Sequence, residues 1–595
     1  MKQESAVRQP MFALSIWMVV LAGLLSLHFV LIPNFLRNTG YFATYSPVIV
    51  QHADPVFTHI PIVRKLLSGL PAFGDQFVSN ETTPSLAVWP RIPYYLLALI
   101  GWPIADHLDA LPILATALLT PVNAAIVYKF TRQITGSITA GVVGATVALA
   151  FRELFVLQPW HWIDSVEMSR LLQTPFFSNA MVHPQISFIL FCVALIALHK
   201  LLMGPTRAIS IFNGVVYGVS FYTYVYLWTF LTGMYAIVGL YLMLRRDHER
   251  IMSLVQSVLI GLLASVFYWV DAIHFFGEPG FLDFQDRFSL GRRPDMAERL
   301  VNIRPHLLTL LGLVLAVTKR NVRYVILFLA TLTTELMWKL PIVIGRDYQS
   351  LHYAYHFFGP LAAVTAVAAV RELALRSQLI MCKVVRRVSI LGVIVCISLL
   401  IMYRSANYSA RHYFAFATPM TVQDAFKYVR DNVEPGSVLL AADPEVNMRV
   451  RSVAPVYVYV PSGFGALVTT DEMLNRASEM LHFYGITPEN MFSYEGEHGQ
   501  SRNPSVSGLI VPELYLFNGS NKYLSFDARR QAIKDAYQSR NVGTLSYSAD
   551  IVWFGPYERA LGQGFFDDRE GLELIYSNDS VRLYEVVSRH ALGWQ

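Results

Sequence analysis

The segment ADPVFTHIPIVRKLLS (Ala53–Ser68) follows the first long apolar run and carries three side chains suited to chemistry, Asp54, His59 and Arg64. Asp54 precedes a proline. This pair is typical of a helix start, because an Asp side chain accepts first-turn amide hydrogens and Pro is tolerated at the first helical position. Asp54 is therefore either a capping carboxylate or a catalytic one. The position of the segment relative to the membrane favours the catalytic interpretation.

The composition is that of a polytopic membrane protein. Of 595 residues, 54% are hydrophobic and only 15% are charged, with a mean hydropathy of +0.41. The formal charge of +5 is small, and the Lys and Arg residues are clustered, so they indicate membrane orientation and not nucleic-acid binding. Cys192, Cys382 and Cys396 lie in or beside apolar runs without metal-ligand spacing, which predicts neither a disulfide framework nor a zinc site.

Apolar runs of transmembrane length recur along the first two thirds of the chain. A spanning helix needs about 20 mostly apolar residues. On that template we predict about eleven spans, which begin near Met11, Ala110, Gly136, Gln185, Ala208, Leu227, Met252, Pro305, Val322, Tyr353 and Val388. A further segment, Trp89–Ala105, contains three prolines and Arg91 and is rich in Trp and Tyr, which is typical of a helix lying in the membrane interface.

The basic residues set the predicted orientation. We assume that the interfacial segment does not span the membrane and that the N-terminus is cytoplasmic. Every later loop with a cluster of basic residues then lies in the cytoplasm, as the positive-inside rule requires. Residues 34–109 then form one long outer loop that contains Asp54. The other long connections also face outward, namely residues 152–182, 277–304 and 345–352, together with everything after Arg404.

From about Ser405 the pattern changes to that of a soluble α/β domain, so we predict a membrane domain of residues 1–404 and an extracytoplasmic domain of residues 405–595. The second domain has no Gly-rich phosphate loop and no G-x-S-x-G motif, and we assign it no catalysis of its own. Its predicted helices are Val422–Asn432, Thr470–Tyr484 and Ala528–Ser539, and its predicted strands are Ser437–Ala442, Val456–Val460, Ile551–Phe554, Leu572–Tyr576 and Val581–Val587.

Charged residues within apolar spans are functional candidates, because burying a charge in lipid is costly. Glu335 and Lys339 are four residues apart on one helical face and either pair with each other or leave Lys339, with Arg346, to bind a lipid-borne phosphate. The outer loop QPWHWIDSVEMSR (Gln158–Arg170) combines two tryptophans, which suit membrane anchoring or sugar stacking, with further polar candidates: His161, Asp164, Glu167 and Arg170.

The layout as a whole resembles the GT-C class of integral membrane glycosyltransferases, which includes protein O-mannosyltransferases and aminoarabinose transferases. The shared features are a retained first span, a long first outer loop with an acidic residue before an amphipathic helix, an interfacial aromatic segment, further spans and an outer C-terminal domain. The tail segments Asp550–Gly562 and Leu572–Val587 are similar to the ends of large bacterial members of the group. The resemblance implies location in a bacterial inner membrane.

The resemblance also implies a reaction and its residues. The donor is a polyprenyl-phosphate-linked sugar, the acceptor is a hydroxyl of a glycan, lipid or protein, and Asp54 is the general base. This chain has a lone Asp54 and not the adjacent acidic pair of better-known members, so Asp75, Glu81, Asp164 and Glu167 are alternative candidates. No cofactor, metal or nucleic acid is expected. The expected substrate-binding residues are His59, Arg64, His161, Asp164, Arg170, Lys339 and Arg346.

Two alternatives stay open. In the first, the chain is a lipid or polysaccharide transporter or assembly factor, with Asp271, Glu335 and Lys339 along a path. In the second, it is a glycosyltransferase with a polyprenyl diphosphate donor, which metal dependence of the activity would favour. The sequence shows no internal repeat, and this disfavours a secondary transporter.

Overall fold

The computed structural model describes residues 16–38, 43–45, 59–78, 90–155, 181–294, 303–376, 383–412, 417–463, 465–493, 512–517, 520, 522, 525–539, 545–561, 564 and 566–590. The chain forms two compact units. The first comprises residues 1–31, 113–270 and 293–411, and the second comprises residues 32–112, 271–292 and 412–595. The second unit therefore joins residues of the predicted first outer loop to the C-terminal residues.

The part of the first unit that the structure describes is helical. Several helices begin where the sequence supplies a capping side chain: Ser137, Thr206, Asp247 and Asn321 each accept a hydrogen bond from a first-turn amide. The helices of this unit and those that lead out of it are Ile16–Asn38, Leu111–Thr135, Ile138–Ala150, Arg152–Phe155, Met181–Ile186, Ser187–Met203, Arg207–Phe221, Val225–Leu244, His248–Ala264, Val266–Phe276, Ile303–Lys319, Val322–Ile344, Tyr353–Phe358, Gly359–Arg376 and Lys383–His412.

All eleven segments predicted to span the membrane contain a helix in the structure. Among the described residues, five helical stretches are long and apolar enough to cross a membrane, or six if His248–Ala264 and Val266–Phe276, bent by 53°, count as one span. The chain is thus a multi-pass membrane protein. The count of about eleven crossings and the side that each loop faces stay predictions.

The described part of the second unit contains a five-stranded mixed sheet, a separate two-stranded sheet and helices. Its strands are β1 (Ala43–Tyr45), β2 (Ala417–Pro419), β3 (Val438–Leu440), β4 (Tyr457–Val458), β5 (Ile551–Phe554), β6 (Leu572–Ser577) and β7 (Arg582–Val586). The sheet order is β4-β3-β5-β7-β6, with β3 parallel to β4 and β5, and β7 antiparallel to β5 and β6. The described helices are Ile60–Leu67, Arg91–Gly101, Trp102–Ala110, Phe281–Arg287, Met420–Asn432, Pro444–Val453, Thr470–Tyr484, Pro488–Ser493, Pro512–Phe517, Phe526–Ser539 and Pro556–Ala560.

Residues of the predicted first outer loop pair with the C-terminal residues. Strand β1 pairs antiparallel with β2 in a separate two-stranded sheet, so that Thr44 lies opposite Thr418. The carbonyl of Phe77 accepts a hydrogen bond of 2.7 Å from the amide of Val458 in edge strand β4. The helix Ile60–Leu67 packs on the helix Pro444–Val453. The described residues of the predicted loop are therefore folded together with the C-terminal residues.

Two buried cations fasten this part of the loop. Lys65 Nζ donates to the carbonyls of Asp75 and Gln76 at 3.3 and 3.1 Å, and Arg451 Nη1 donates to the carbonyl of Gln76 at 3.0 Å. Both side chains are 1% exposed, and they lie over the rings of Tyr457 and Phe77. Burial lowers the pKa of Lys65 well below its ordinary value and lowers that of Arg451 to about 10.

A third buried cation fastens a separate segment of the same unit. Arg287 Nη2 donates to the carbonyls of Ala466 and Val468, both at 2.8 Å, and Nη1 donates to Thr470 Oγ1 at 3.0 Å. Asp283 accepts from the amide of Thr470 at 2.8 Å. The helix Phe281–Arg287 is thereby attached to the start of the helix Thr470–Tyr484.

Glu558 is a buried carboxylate at the ends of β3 and β5. Its Oε1 accepts from the amides of Ala442 and Asp443 at 2.9 and 3.1 Å, and its Oε2 accepts from the amide of Gly555 at 2.9 Å. These bonds connect the turn after β3 with the turn after β5. Burial, together with the charge of Asp443, raises the pKa of Glu558 to about 7 despite the three amide donors.

This shift predicts that stability falls as the pH rises from about 4.5 to about 7. In that window the folded state retains a proton that the unfolded chain, with an ordinary pKa of 4.5, has lost. The difference corresponds to about 3 kcal/mol. Thermal unfolding of the solubilised protein across this pH range measures it. Glu558→Gln removes the titration and should flatten the dependence, whereas the exposed control Glu570→Gln should not; equal slopes in all three proteins would contradict this account.

Candidate active site

Several sequence candidates lie outside the described residues. Asp54 falls in the range 46–58, and His161, Asp164 and Arg170 fall in the range 156–180. Their roles stay predictions. The described candidates are His59, Arg64, Lys339 and Arg346, together with Asp75 among the alternative bases.

His59 lies directly before the first-loop helix Ile60–Leu67, in which Pro61 occupies the second position. The imidazole is buried, and its Nδ1 lies 3.1 Å from the hydroxyl of Tyr94 in the helix Arg91–Gly101. Burial lowers the pKa of His59 to about 3. The ring is therefore neutral at neutral pH and acts here as a hydrogen-bond partner rather than as a cation.

Arg64 lies one helical turn further on and is 6% exposed. Its Nε donates to the carbonyl of Ser452 at 2.9 Å, and its Nη1 donates to the carbonyl of Ala105 at 3.4 Å. Burial is the main reason that its pKa is lowered to about 10, with a contribution from Arg430. Arg64 therefore remains charged at neutral pH, and it lines a cleft in the second unit together with Asp106 and Asp109.

Asp75, one of the alternative bases, has a structural set of contacts. Its Oδ1 accepts hydrogen bonds from the amides of Phe77 and Val78 at 2.7 and 3.1 Å, and its Oδ2 accepts from the amide of Leu467 at 2.6 Å. The side chain is 3% exposed. Both oxygens of this buried carboxylate already accept from backbone amides, so the contacts favour a structural role for Asp75 over that of a general base.

Lys339 belongs to a local network in the first unit. Its Nζ lies 3.4 Å from Glu335 Oε1 and 2.5 Å from His306 Nε2. Glu335 also contacts His306 Nδ1 and accepts from Thr309 Oγ1 at 2.6 Å. The geometry favours the pairing alternative for Glu335 and Lys339. Arg346 is exposed just after the helix Val322–Ile344.

The first unit also contains an Arg–His–Tyr cluster that the sequence candidates did not include. We define it as Arg152, His183, Tyr224, His352 and His356. The ring of His183 stacks on Tyr224 with centroids 3.6 Å apart, and His352 stacks on His356 at 5.2 Å. The hydroxyl of Tyr224 lies 2.5 Å from His352 Nδ1. Rings from three separate chain segments therefore meet at one place.

The buried cation of the cluster is Arg152. Its side chain is 2% exposed and lies near enough to His356 to interact with it electrostatically. It begins a short 3-10 turn, Arg152–Phe155, that packs against the turn containing His356. A guanidinium with three imidazoles close by forms an environment that favours an anion, because all of these groups can donate hydrogen bonds.

Two histidines of the cluster lie in short turns that lead directly into long apolar helices. His183 lies in the turn Met181–Ile186, where its φ and ψ of −126° and 113° are extended and interrupt the helical geometry, and His356 lies in the turn Tyr353–Phe358. Each of these histidines therefore lies at the start of a long apolar helix.

The sequence contained a signal for this cluster that we did not use. His352 and His356 are four residues apart, on one helical face, in LHYAYHFF (Leu351–Phe358). Tyr224 and Tyr226 belong to FYTYVYLW (Phe221–Trp228), a composition typical of interfacial anchors. In the structure, however, Tyr226 stacks on His352 with centroids 4.3 Å apart. Within the described residues, no group of three or more His, Cys, Asp or Glu side chains is arranged to hold a metal ion.

The chain was compared with protein families, curated protein sequences and solved structures. No family model and no curated protein sequence matches the chain. Among solved structures it is similar to the Archaeoglobus fulgidus oligosaccharyltransferase tethered to an acceptor peptide, with 11% identity and a TM-score of 0.44 over 96% of this chain and 74% of that one. It is similar also to apo ArnT from Cupriavidus metallidurans, with 11% identity and a TM-score of 0.44 over 100% of both chains.

Both proteins are GT-C glycosyltransferases, the class that the layout of the sequence resembles. At this identity and TM-score the two structures carry no argument about the function of this chain. Roles for individual residues are therefore argued only from the contacts within this chain.

The contacts of Asp75 predict a structural cost on its removal. Asp75→Ala leaves three buried amides without an acceptor, so we expect a loss of about 3 kcal/mol in the free energy of unfolding. The melting temperature of the solubilised protein measures this loss, with the exposed Asp535→Ala as control. An unchanged melting temperature in Asp75→Ala would contradict the structural role.

Proposed function

We propose that the chain is a glycosyltransferase that moves a sugar from a polyprenyl-phosphate-linked donor to an acceptor hydroxyl at the outer face of the membrane. The observation that carries the proposal is the Arg–His–Tyr cluster at the ends of long apolar helices. The positive-inside distribution of Lys and Arg assigns these helix ends to the outer side. A lipid-borne phosphate arriving through the bilayer would need such a group of donors at that depth.

The chemistry of the cluster suits the phosphate of this donor. A guanidinium matches phosphate oxygens with paired N–H donors, and a buried site strengthens the attraction because the local dielectric is low. Arg152 supplies the permanent charge, and His183, His352 and His356 supply further donors. As the sugar leaves, negative charge grows on the phosphate, and donors already in place stabilise it without reorganisation.

The proposed reaction is a direct displacement. The acceptor oxygen forms a bond to the anomeric carbon while the bond from that carbon to the phosphate oxygen breaks, and the electron pair stays with the polyprenyl phosphate. Asp54 takes the proton of the acceptor hydroxyl as the bond forms. No nucleotide is needed, because the donor arrives in the lipid phase.

The transporter alternative receives less support from the contacts. It assigned Glu335 and Lys339 to a path, but the two side chains contact each other, His306 and Thr309. Intramembrane charges that satisfy one another in this way stabilise helix packing and need no transported ligand.

The role of Asp54 predicts a loss of turnover with no loss of folding. Asp54→Asn removes the base and should lower kcat by about 10²- to 10⁴-fold. The assay is release of polyprenyl phosphate from a radiolabelled polyprenyl-phosphate sugar by reconstituted protein. Near-normal kcat with an unchanged melting temperature would remove Asp54 from the role.

The cluster predicts an effect on donor binding. Arg152→Gln removes the charge that contacts the phosphate and should lower kcat/KM for the donor by roughly 10- to 100-fold, with partial rescue in Arg152→Lys. The exposed Lys200→Gln, on the predicted cytoplasmic side, is the matched control. Arg346→Gln tests the sequence candidate in parallel; a loss in Arg346→Gln with a normal Arg152→Gln would move the phosphate site to Arg346.

A further inference from the structure

A cleft of about 290 Å³ lies within the second unit, and none of its lining residues belongs to the Arg–His–Tyr cluster. Its lining combines cations and carboxylates from two parts of the chain: Arg64, Asp106 and Asp109 from the predicted first outer loop, and Lys427 and Arg430 from the helix Met420–Asn432. The volume lies at the small end of the range of about 300–1,000 Å³ for ligand pockets. It suits one small polar ligand and not a long polymer segment.

Arg64 offers hydrogen-bond donors to this cleft. The structure gives its guanidinium two hydrogen bonds, to the carbonyls of Ser452 and Ala105. An arginine has five N–H donors in a fixed plane, so within the described part of the chain the remaining donors are available to a ligand. The side chain is held by its backbone partners, and a ligand would meet a cation that is already oriented.

Asp106 and Asp109 offer hydrogen-bond acceptors to the same cleft. They lie in the 3-10 segment Trp102–Ala110, which is kinked at Ile104 and His107. Both carboxylates act electrostatically on Arg64, yet neither forms an ion pair or a side-chain hydrogen bond with any residue that the structure describes. Their oxygens are therefore available as acceptors beside the oriented guanidinium.

Arg430 connects the two parts of the chain that line the cleft. Its Nη1 donates to the carbonyl of Asp106 at 2.7 Å, while its Nε and Nη2 bind the carboxylate of Asp431 at 2.7 and 3.1 Å. Lys427, one turn earlier, is half exposed and paired with Asp424. These contacts hold Arg430 and Lys427 at the rim of the cleft and fix its shape.

We propose that this cleft binds an acidic sugar unit, one with several hydroxyls and a single carboxylate. The carboxylate of the sugar accepts from the free N–H donors of Arg64, and hydroxyls of the sugar donate to Asp106 and Asp109. The proposal that the cleft is an acceptor subsite rests on the proposed glycosyltransferase function. The proposal that it binds an acidic sugar rests only on the residues that line the cleft.

Simpler ligands match the lining less well. A bare anion such as phosphate would meet two carboxylates that repel it, and a neutral sugar would bring no anionic acceptor to the remaining N–H donors of Arg64. A ligand that carries both an anion and hydroxyls satisfies both kinds of group at once.

Direct binding tests the assignment on the full-length protein in detergent. Calorimetry with glucuronic acid, glucose and inorganic phosphate as probes should show binding of glucuronic acid at least tenfold tighter than of either other probe. Asp109→Asn and Arg430→Gln should each weaken glucuronic acid binding at least tenfold. Arg589→Gln, an exposed arginine paired with Asp550 elsewhere in this unit, should leave it unchanged.

The outcomes separate this inference from the proposed function. Equal binding of phosphate and glucuronic acid, or glucuronic acid binding unaffected by Asp109→Asn, overturns the acidic-sugar assignment. Asp109→Asn replaces a side chain without partners among the described residues and keeps the test valid if Arg430→Gln does not fold. A second assay compares polyprenyl phosphate release with glucuronate-terminated and with glucose-terminated oligosaccharides as acceptors. Equal release with both acceptors overturns the acceptor role alone. Absence of release with every acceptor overturns the proposed function while the binding result stands.

Discussion

Two buried cations, Lys65 and Arg451, donate hydrogen bonds to the backbone carbonyls of Asp75 and Gln76, and the second unit depends on these bonds. Removing such a charge from water is expensive unless its donors are satisfied. Here the carbonyl oxygens and the faces of Tyr457 and Phe77 satisfy them. The bonds of Lys65 lie within the loop, whereas Arg451 and the ring of Tyr457 come from the C-terminal segment, so we infer that the two segments fold together.

This constraint has a consequence for chemistry. The first-loop helix Ile60–Leu67, which follows the predicted base in sequence, is fixed on the helix Pro444–Val453. Catalytic groups work best on elements whose own positions are locked by packing and hydrogen bonds. The C-terminal residues therefore serve the first loop as a support, although they contain no catalytic motif of their own. The same support brings Arg64 beside Asp106 and Asp109 in the cleft.

The sequence predicted the elements whose signals are local. The helix Thr470–Tyr484 and the strand Ile551–Phe554 have the predicted bounds, because capping residues and apolar periodicity mark them within a few residues. Pairing of β1 with β2 could not be predicted, because a three-residue strand has no periodicity and its partner is far away in the chain. The hydrogen-bond partners of Arg64 could not be predicted for a related reason. They are the backbone carbonyls of Ala105 and Ser452, which no side-chain pattern reveals.

The Arg–His–Tyr cluster shows the same limit within the membrane helices. His352 and His356 are recognisable as a pair because their spacing is helical, but His183 and Arg152 come from other segments and join them only through the packed fold. Polar aromatic residues near helix ends are also common as membrane anchors, so Tyr224 had an adequate structural explanation in the sequence alone.

Hydrogen–deuterium exchange of the full-length protein tests the central claim, that the first loop and the C-terminal segment form one cooperative unit. Arg451→Ala removes a donor to the Gln76 carbonyl and leaves that acceptor buried. The account predicts faster exchange at the amides of residues 62–67 and 446–458 together, with no change in the helix Ser187–Met203 of the first unit. Faster exchange confined to residues 446–458, with the first-loop helix still protected, would contradict it.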